Sequence, residues 1–183
     1  LKIKANHSMI NMGSQMIPLS LPNISGNELK YVKECLETGW ISTAGSYVEM
    51  FEQNFADFVG VNRAVSTVNG TSALHLALKV MGVKYSDLVI MPNITFVASA
   101  NAISYLGAQP LLIDVDKETW QMDLDLLENY LENECYEKNS SLIDKNSKLN
   151  IAAIMIVHIQ GNICNMNRLK AISKKYNLPL IED

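Results

Sequence analysis

The chain has 183 residues, enough for one sizeable core, and 48% of them are apolar, so we expect a folded globular domain. Its formal net charge of -4 argues against a nucleic-acid-binding protein, and no apolar run approaches the roughly 20 residues that span a bilayer. Cys35, Cys135 and Cys164 lie far apart without a CxxC pair, which indicates reduced thiols, no metal site and a cytoplasmic protein.

Two amphipathic helices are predicted before residue 60. In "SGNELKYVKECLETG", Ser25 can cap the helix, Glu28 stands at the capping-box spacing, and Gly39 ends it. In "SYVEMFEQNFADFVG", apolar side chains recur at three- and four-residue spacing. This spacing predicts one buried face formed by Val48, Phe51, Phe55 and Phe58.

From residue 63 onward, strands and helices alternate. Strands are predicted in "RAVSTVN", "DLVIMP", "QPLLIDVD", "NIAAIMIVH" and "LPLIED". Helices are predicted in "GTSALHLALKVMG", "TFVASANAISYLG", "DLDLLENYLENE" and "NMNRLKAISKKYN". The alternation is typical of an α/β fold with a mostly parallel sheet covered by helices on both faces. Residues 133–150 interrupt it, and their polar composition predicts a surface insertion within one domain.

Chemically useful residues follow the predicted strands, and ligands of parallel α/β sheets bind outside the carboxyl ends of strands. Gly70, Thr71 and Ser72 stand between a strand and a helix, where hydroxyls and backbone N–H groups favour an anion such as phosphate. The alternative is that Thr71 or Ser72 only caps the helix. The glycine and lysine spacings of a P-loop or dinucleotide fingerprint are missing, which argues against a plain ATP or NAD site.

Two further strand ends complete one chemical picture. Phe96 follows the second strand and could stack on a planar ligand, or could be a core residue. Asp183 ends the last strand and could pair with a ring nitrogen, or be a generic strand-end acid. A phosphate cradle, a stacking ring and a carboxylate together match the requirements of pyridoxal phosphate, whose pyridinium must stay protonated.

The sequence resembles the amino-terminal part of the DegT/DnrJ/StrS sugar aminotransferases, which are pyridoxal-phosphate enzymes. The matching blocks are "TGWISTAGSYVEMFEQNFADFVG", "VNGTSALHLAL", "VIMPNITFVASANAISYLGAQPLLIDVD" and "VHIQGNICNMNRLKAISKKYNLPLIED". The resemblance implies the large domain of the aspartate-aminotransferase fold (fold type I), truncated. It covers residues 17–183, with residues 1–16 as a non-matching extension and the small carboxyl-terminal domain absent. The finer likeness is to the branch that serves legionaminic-acid or bacillosamine-type sugars.

By this resemblance, Thr71 and Ser72 would bind the cofactor phosphate, Phe96 would stack on the pyridine ring, and Asp183 would pair with its nitrogen. His158 lies in the "VH..G" block at a strand end that faces the cofactor, although a purely structural hydrogen-bonding role is an equal alternative.

The segment "GWISTAG" would lie near the substrate or the subunit contact. It contains Trp40, Ser42 and Thr43, and the serine and threonine there could equally be loop caps.

The resemblance also implies the reaction. The enzyme would transfer an amino group, with L-glutamate as donor, to a nucleotide-linked 4-keto-6-deoxy sugar, typically a UDP-sugar, in surface-polysaccharide biosynthesis, and would act as a homodimer. The Schiff-base lysine would lie beyond residue 183, so we expect a fragment that is inactive alone. The alternatives are a dehydratase of the same family, with histidine in place of the lysine, and a non-catalytic α/β binding or assembly module.

Overall fold

The structure is a computed structural model that describes Pro18 and residues 20–183. The chain divides into two compact units, one ending at Ala64 and the other beginning at Val65. The predicted extension at residues 1–16 lies outside the described residues. Within the described part, no helix is long and apolar enough to cross a membrane.

The first unit contains helices α1 (Glu28–Thr38) and α2 (Ser46–Val59). Gly39 ends α1 as predicted, with a φ of 77° that glycine adopts without steric cost. The predicted cap at Ser25 is wrong: the N-cap is Asn27, and the Ser25 hydroxyl donates to Asn23 Oδ1 at 2.7 Å. The Asn23 side chain competes locally for the hydroxyl, so Ser25 forms a turn ahead of the helix.

The predicted burial of the α2 aromatics is also wrong. Phe51, Phe55 and Phe58 are 56%, 48% and 87% exposed, and Ala56 is the buried residue of α2. Helical spacing predicts that side chains share a face, but burial needs a second surface to cover that face. Instead, the aromatics line an open cavity of about 630 Å³ within the first unit.

The second unit is an α/β structure around one mixed sheet. In chain order its elements are α3 (Gly70–Val80), β1 (Leu88–Pro92), α4 (Val97–Ser104), β2 (Gln109–Ile113), α5 (Leu124–Asn133), β3 (Cys135–Lys138), β4 (Ser141–Asp144), β5 (Asn150–Ile156), α6 (Met166–Lys175) and β6 (Leu180–Glu182). A single 3₁₀ turn, Ile159–Gly161, follows β5.

The sheet order is β2-β1-β5-β4-β3, with β6 also paired to β5. The pairs β1–β2, β1–β5 and β5–β6 are parallel, whereas β3–β4 and β4–β5 are antiparallel. β4 pairs with Asn150 and Ile151 at the start of β5, and β6 pairs with the last three residues of β5. The predominance of parallel pairing agrees with the predicted fold class.

Alternating side chains along the strands separate two apolar layers. Val89, Met91 and Met155 pack with buried residues of α3 and α4 on one face. Ile90 and Ile154 pack with buried residues of α5 and α6 on the other. Strands buried on both faces require continuous apolar runs, which is why β1 and β5 were recognisable in the sequence.

The polar segment at residues 133–150 contains a β-hairpin that the sequence reading did not anticipate. β3 and β4 pair in register from Cys135 and Asp144 to Lys138 and Ser141, leaving a two-residue turn. The turn residues Asn139 and Ser140 have φ values of 51° and 62°, as a type I′ hairpin turn requires. The hairpin extends the sheet of the same unit.

The strand predicted at residues 63–69 is wrong. These residues form neither a strand nor a bridge, and Val65 and Val68 are 71% and 89% exposed. β-branched residues favour extended backbone, but a strand exists only where a neighbouring strand accepts its hydrogen bonds.

Candidate active site

The carboxyl ends of β1, β2, β5 and β6 lie at the same edge of the sheet because these strands run parallel. Phe96 follows β1 by four residues, His158 follows β5 by two, and Asp183 directly follows β6. The topology therefore brings predicted site residues from three strands to one edge, where α/β proteins bind their ligands.

Asp183 is fixed through both its backbone and its side chain. Its N–H donates to the Ile156 carbonyl at 2.9 Å, and its carbonyl accepts from the His158 N–H at 3.0 Å. It stands two residues after Ile181, which packs in the α3 and α4 layer, so its side chain points to that face. There its Oδ2 accepts from the Ser99 hydroxyl at 2.5 Å, while the residue remains exposed.

α4 also contributes to this site, which was not predicted from the sequence. Ser99 is fully buried, and its Oγ lies 3.1 Å from Oγ1 of Thr95. The i, i+4 spacing of two hydroxyl residues beside Phe96 was a visible signal that both lie on one side of the helix start. Their link to Asp183 spans 84 residues and was visible only once the sheet order was known.

The His158 ring is held by hydrogen bonds within the fold. Its Nδ1 accepts from the Cys164 N–H at 3.4 Å, so the neutral ring carries its proton on Nε2, which lies 3.4 Å from Glu182 Oε2. Burial raises the pKa of the Cys164 thiol, which keeps it protonated at neutral pH. This geometry supplies a structural role for His158, and its catalytic role stays a prediction.

The first turn of α3 retains the groups expected of an anion site. Its N-cap is Asn69, whose Oδ1 accepts from the Ser72 N–H at 2.8 Å. The alternative that Thr71 or Ser72 is the cap is therefore wrong, and neither hydroxyl is needed for capping. A Cβ added to Gly70 would meet no atom within 4 Å, so the space over this turn is open.

Phe96 is not a core residue, because 78% of its surface is exposed. It is the N-cap of α4, and its carbonyl accepts from the Ser99 N–H at 3.2 Å. Phe96 therefore lies at the start of α4, the helix whose Ser99 contacts Asp183. Its predicted stacking role is compatible with this exposure and stays a prediction.

The predicted substrate residues belong to the first unit. Trp40, Ser42 and Thr43 are all exposed and lie between α1 and α2. Their contact with a substrate or a second subunit stays a prediction. Among the described residues, no group of three or more His, Cys, Asp or Glu side chains could hold a metal ion.

Comparison with known proteins identifies the family. Residues 22–183 match the DegT/DnrJ/EryC1/StrS aminotransferase family. GDP-perosamine synthase of Caulobacter vibrioides is 42% identical over 167 residues, which are 91% of this chain and 41% of that protein. The chain thus spans about two fifths of the length of this curated relative.

Solved structures agree with this match. A DegT DnrJ EryC1 StrS aminotransferase from Brucella abortus superposes with a TM-score of 0.75 at 28% identity, over 86% of this chain and 40% of that one. NtdA from Bacillus subtilis, solved with bound cofactor PMP, gives a TM-score of 0.71 at 28% identity, over 84% of this chain and 32% of that one. The chain belongs to the DegT/DnrJ/EryC1/StrS aminotransferase family.

Proposed function

We propose that this chain provides the cofactor site of a pyridoxal-phosphate-dependent aminotransferase that acts on a nucleotide-linked sugar. The observation that carries the proposal is the Asp183 carboxylate, exposed at the carboxyl end of β6 and held there by Ser99. Family membership and the PMP bound to NtdA support the choice of cofactor.

The residues present fit this cofactor. The open space over Gly70 accommodates a phosphate, for which Thr71 and Ser72 offer hydroxyls at the positive end of the α3 dipole. The exposed Phe96 ring offers a flat apolar surface for a pyridine ring. Asp183 offers an anionic acceptor for a ring N–H at the same edge of the sheet.

When bound, the cofactor would supply an electron sink for the removal of the α-proton of an amino acid. Asp183 holds the proton on the ring nitrogen by accepting a charge-assisted hydrogen bond from it. Thr71 and Ser72 would bind the phosphate at the first turn of α3. Phe96 covers one ring face and excludes water from it.

We further propose that the amino acceptor is a nucleotide-linked 4-keto-6-deoxy sugar and the donor is L-glutamate. The nucleotide is assigned as GDP, because a relative at 42% identity is a GDP-perosamine synthase. We propose a homodimer in the cytoplasm, as the resemblance implies, with a role in polysaccharide biosynthesis.

The test uses the complete product of the gene that encodes this chain, purified with pyridoxal phosphate. We expect a visible absorbance from the bound cofactor that L-glutamate bleaches and that a GDP-linked 4-keto-6-deoxy sugar restores. Mass spectrometry of the sugar should then show that an amino group has replaced the keto oxygen.

Other outcomes are equally informative. Cofactor binding with a sugar product that has lost a hydroxyl and gained no nitrogen would assign the dehydratase reaction. Absence of any cofactor binding would favour the non-catalytic module. A UDP-sugar accepted in preference to the GDP-sugar would refute only the nucleotide assignment.

A further inference from the structure

Ser99 combines complete burial with a short contact to a charged group. It has no exposed surface, and its Oγ donates to Oδ2 of Asp183 at 2.5 Å. A buried hydroxyl without a partner is costly, and a hydroxyl that donates to a carboxylate makes one of the stronger hydrogen bonds in proteins. The contact therefore constrains the Asp183 side chain from within the protein.

Thr95 supports this contact from the preceding turn. Ser99 has one hydroxyl hydrogen and donates it to Asp183, so in the 3.1 Å contact with Thr95 the Ser99 oxygen accepts. When the Thr95 hydroxyl donates to Ser99, which is closer than the Phe96 carbonyl at 3.4 Å, the three groups form one directed chain, from Thr95 through Ser99 to Asp183. Such chains polarise their members and strengthen the final hydrogen bond.

The chain of hydrogen bonds begins on a rigid support. α4 is anchored to the sheet by Ala102 and Ile103, both fully buried. Asp183, by contrast, follows the three-residue strand β6 and is itself exposed. An exposed carboxylate on such a strand end would sample several rotamers unless a fixed donor selected one.

We propose that Ser99, supported by Thr95, is a positioning residue that presents Asp183 to the ring nitrogen of the cofactor. A carboxylate has two oxygens, so Oδ2 accepts from Ser99 while Oδ1 is left for the ring N–H. Ser99 orients the acceptor before the cofactor arrives, which lowers the entropic cost of binding it. This inference rests on the proposed function, because it takes the ligand of Asp183 to be pyridoxal phosphate.

A double-mutant cycle tests the proposal in the complete gene product, prepared free of cofactor and titrated with pyridoxal phosphate. Ser99→Ala should weaken cofactor binding about tenfold, the loss expected for one hydrogen bond to a charged group. Asp183→Ala should weaken it further. Because Ser99 acts through Asp183, adding Ser99→Ala to Asp183→Ala should cause no additional loss.

Ser104→Ala is the matched control, because Ser104 is an exposed serine of the same helix whose hydroxyl donates only locally, to the Ala100 carbonyl at 3.0 Å. It should leave cofactor affinity unchanged. Circular dichroism should show that every variant is folded. Thr95→Val should weaken binding less than Ser99→Ala, because it removes only the supporting donor.

A second readout separates positioning from general stability. With ¹⁵N-labelled pyridoxal phosphate, the ring nitrogen resonance should lie at the protonated position in the unsubstituted protein and move towards the unprotonated position in Ser99→Ala. The positioning role would be overturned if Ser99→Ala lowered cofactor affinity equally in the presence and absence of Asp183. It would also be overturned if Ser99→Ala left the ring nitrogen resonance unchanged. Either result would leave the proposed function intact. Failure of the unsubstituted protein to bind pyridoxal phosphate would overturn both.

Discussion

Asp144 shows how a single buried carboxylate can hold a turn together. Only 4% of its surface is exposed, and it accepts hydrogen bonds from the Tyr130 hydroxyl at 2.6 Å and from the Ser147 N–H and hydroxyl at 2.5 and 2.7 Å. Burial by itself would raise the pKa of this carboxyl. The hydrogen bonds from Ser147 and Tyr130 outweigh burial, and the pKa lies below its usual value.

The lowered pKa of Asp144 makes the free energy of unfolding depend on pH in the acid range. Because the folded-state pKa lies below the unfolded value of about 3.9, the unfolded chain binds the proton more readily. The stabilisation that Asp144 contributes is therefore present above its pKa in the unfolded chain, and it is lost as the pH falls through its pKa in the folded protein. Asp144→Asn should therefore flatten the decline in the free energy of unfolding below about pH 4, as measured by urea denaturation at several pH values.

Ser147→Ala provides a graded comparison for this prediction. It removes the hydroxyl donor but keeps the backbone donor to Asp144, so it should flatten the acid dependence less than Asp144→Asn does. At neutral pH, Asp144→Asn should itself cost about 2 kcal/mol, because its amide N–H₂ would face donors that need an acceptor. An acid dependence unchanged in Asp144→Asn would show that other groups control it.

The site residues differ in how far they could be predicted from the sequence. Asp183 and Phe96 were predicted because they follow recognisable strands, and the structure places both at the expected edge. Ser99 could not be predicted, because its partner is 84 residues away and the hydroxyl of a helical serine has many local alternatives. Sequence position identifies the groups at strand ends, whereas the residues that orient them depend on packing between layers.

The turn of the β3–β4 hairpin is one place where a substitution should raise the stability of the protein. Ser140 occupies the second turn position with a φ of 62°, where a side chain is disfavoured and glycine is not. Ser140→Gly should therefore raise the free energy of unfolding by about 0.5–1 kcal/mol in chemical denaturation. Ser140→Ala is the control and should bring no gain; a Ser140→Gly variant less stable than the unsubstituted protein would refute this account of the turn.

Helices α5 and α6 are joined by an ion-pair fork. The Arg168 guanidinium contacts Glu128 through Nε at 3.1 Å and through Nη2 at a shorter distance, and it contacts Asp125 at 2.5 Å. The Arg168 side chain is 39% exposed, so solvent screens these pairs. The fork adds modestly to a contact already made by the apolar face of α6.

We expect Arg168→Met to lower the free energy of unfolding by about 0.5–1 kcal/mol, because the apolar stem is kept and only the ion pairs are lost. The difference from the unsubstituted protein should shrink in high salt, which screens surface charges. Lys170→Met, at an exposed position of the same helix, is the control and should change stability by less than about 0.5 kcal/mol. A loss independent of salt would contradict an electrostatic origin.

Elements differ in how well the sequence predicted them. β1 and β5 are buried on both faces and read as apolar runs, and Gly39 marked where α1 ends. The β3–β4 hairpin was missed because its strands are only four residues long and rich in polar residues, and β3 forms an exposed edge of the sheet. The segment at residues 63–69 was overpredicted because strand propensity does not report whether a pairing partner exists.

At the scale of the whole molecule, the aromatic face of α2 is the largest departure from the sequence reading. Tyr31, Leu36, Phe51 and Phe55 are among the side chains that line the cavity of about 630 Å³ between α1 and α2. Contiguous exposed apolar surface of this kind favours association. The spacing of apolar residues predicted that these side chains share one face of α2. Whether another surface covers that face depends on tertiary packing, which residue spacing does not report.

We expect this 183-residue chain, expressed alone, to associate and to bind an apolar dye through that cavity. The double substitution Phe51→Ser with Phe55→Ser should reduce both dye fluorescence and the associated fraction in analytical ultracentrifugation. Val80→Ser, which alters a single exposed residue of α3, should change neither. A strictly monomeric unsubstituted chain at about 100 µM, a concentration at which exposed apolar surfaces associate, would contradict the prediction.

One side of β5 is shared between β4 and β6, and this arrangement has a practical consequence. The hairpin reaches only Asn150 and Ile151, whereas Asp183 hydrogen-bonds beside Ile156, five residues further along the strand, or about 16 Å. Because β4 runs antiparallel to β5, its Ser141 end points along β5 towards Ile156, so peptide inserted between Asn139 and Ser140 would project towards the same edge of the sheet as the candidate cofactor site. An affinity peptide or a fluorophore spliced into this turn would therefore point towards the edge where the ligand binds, and the turn is a poor place for a label that must leave the ligand unobstructed.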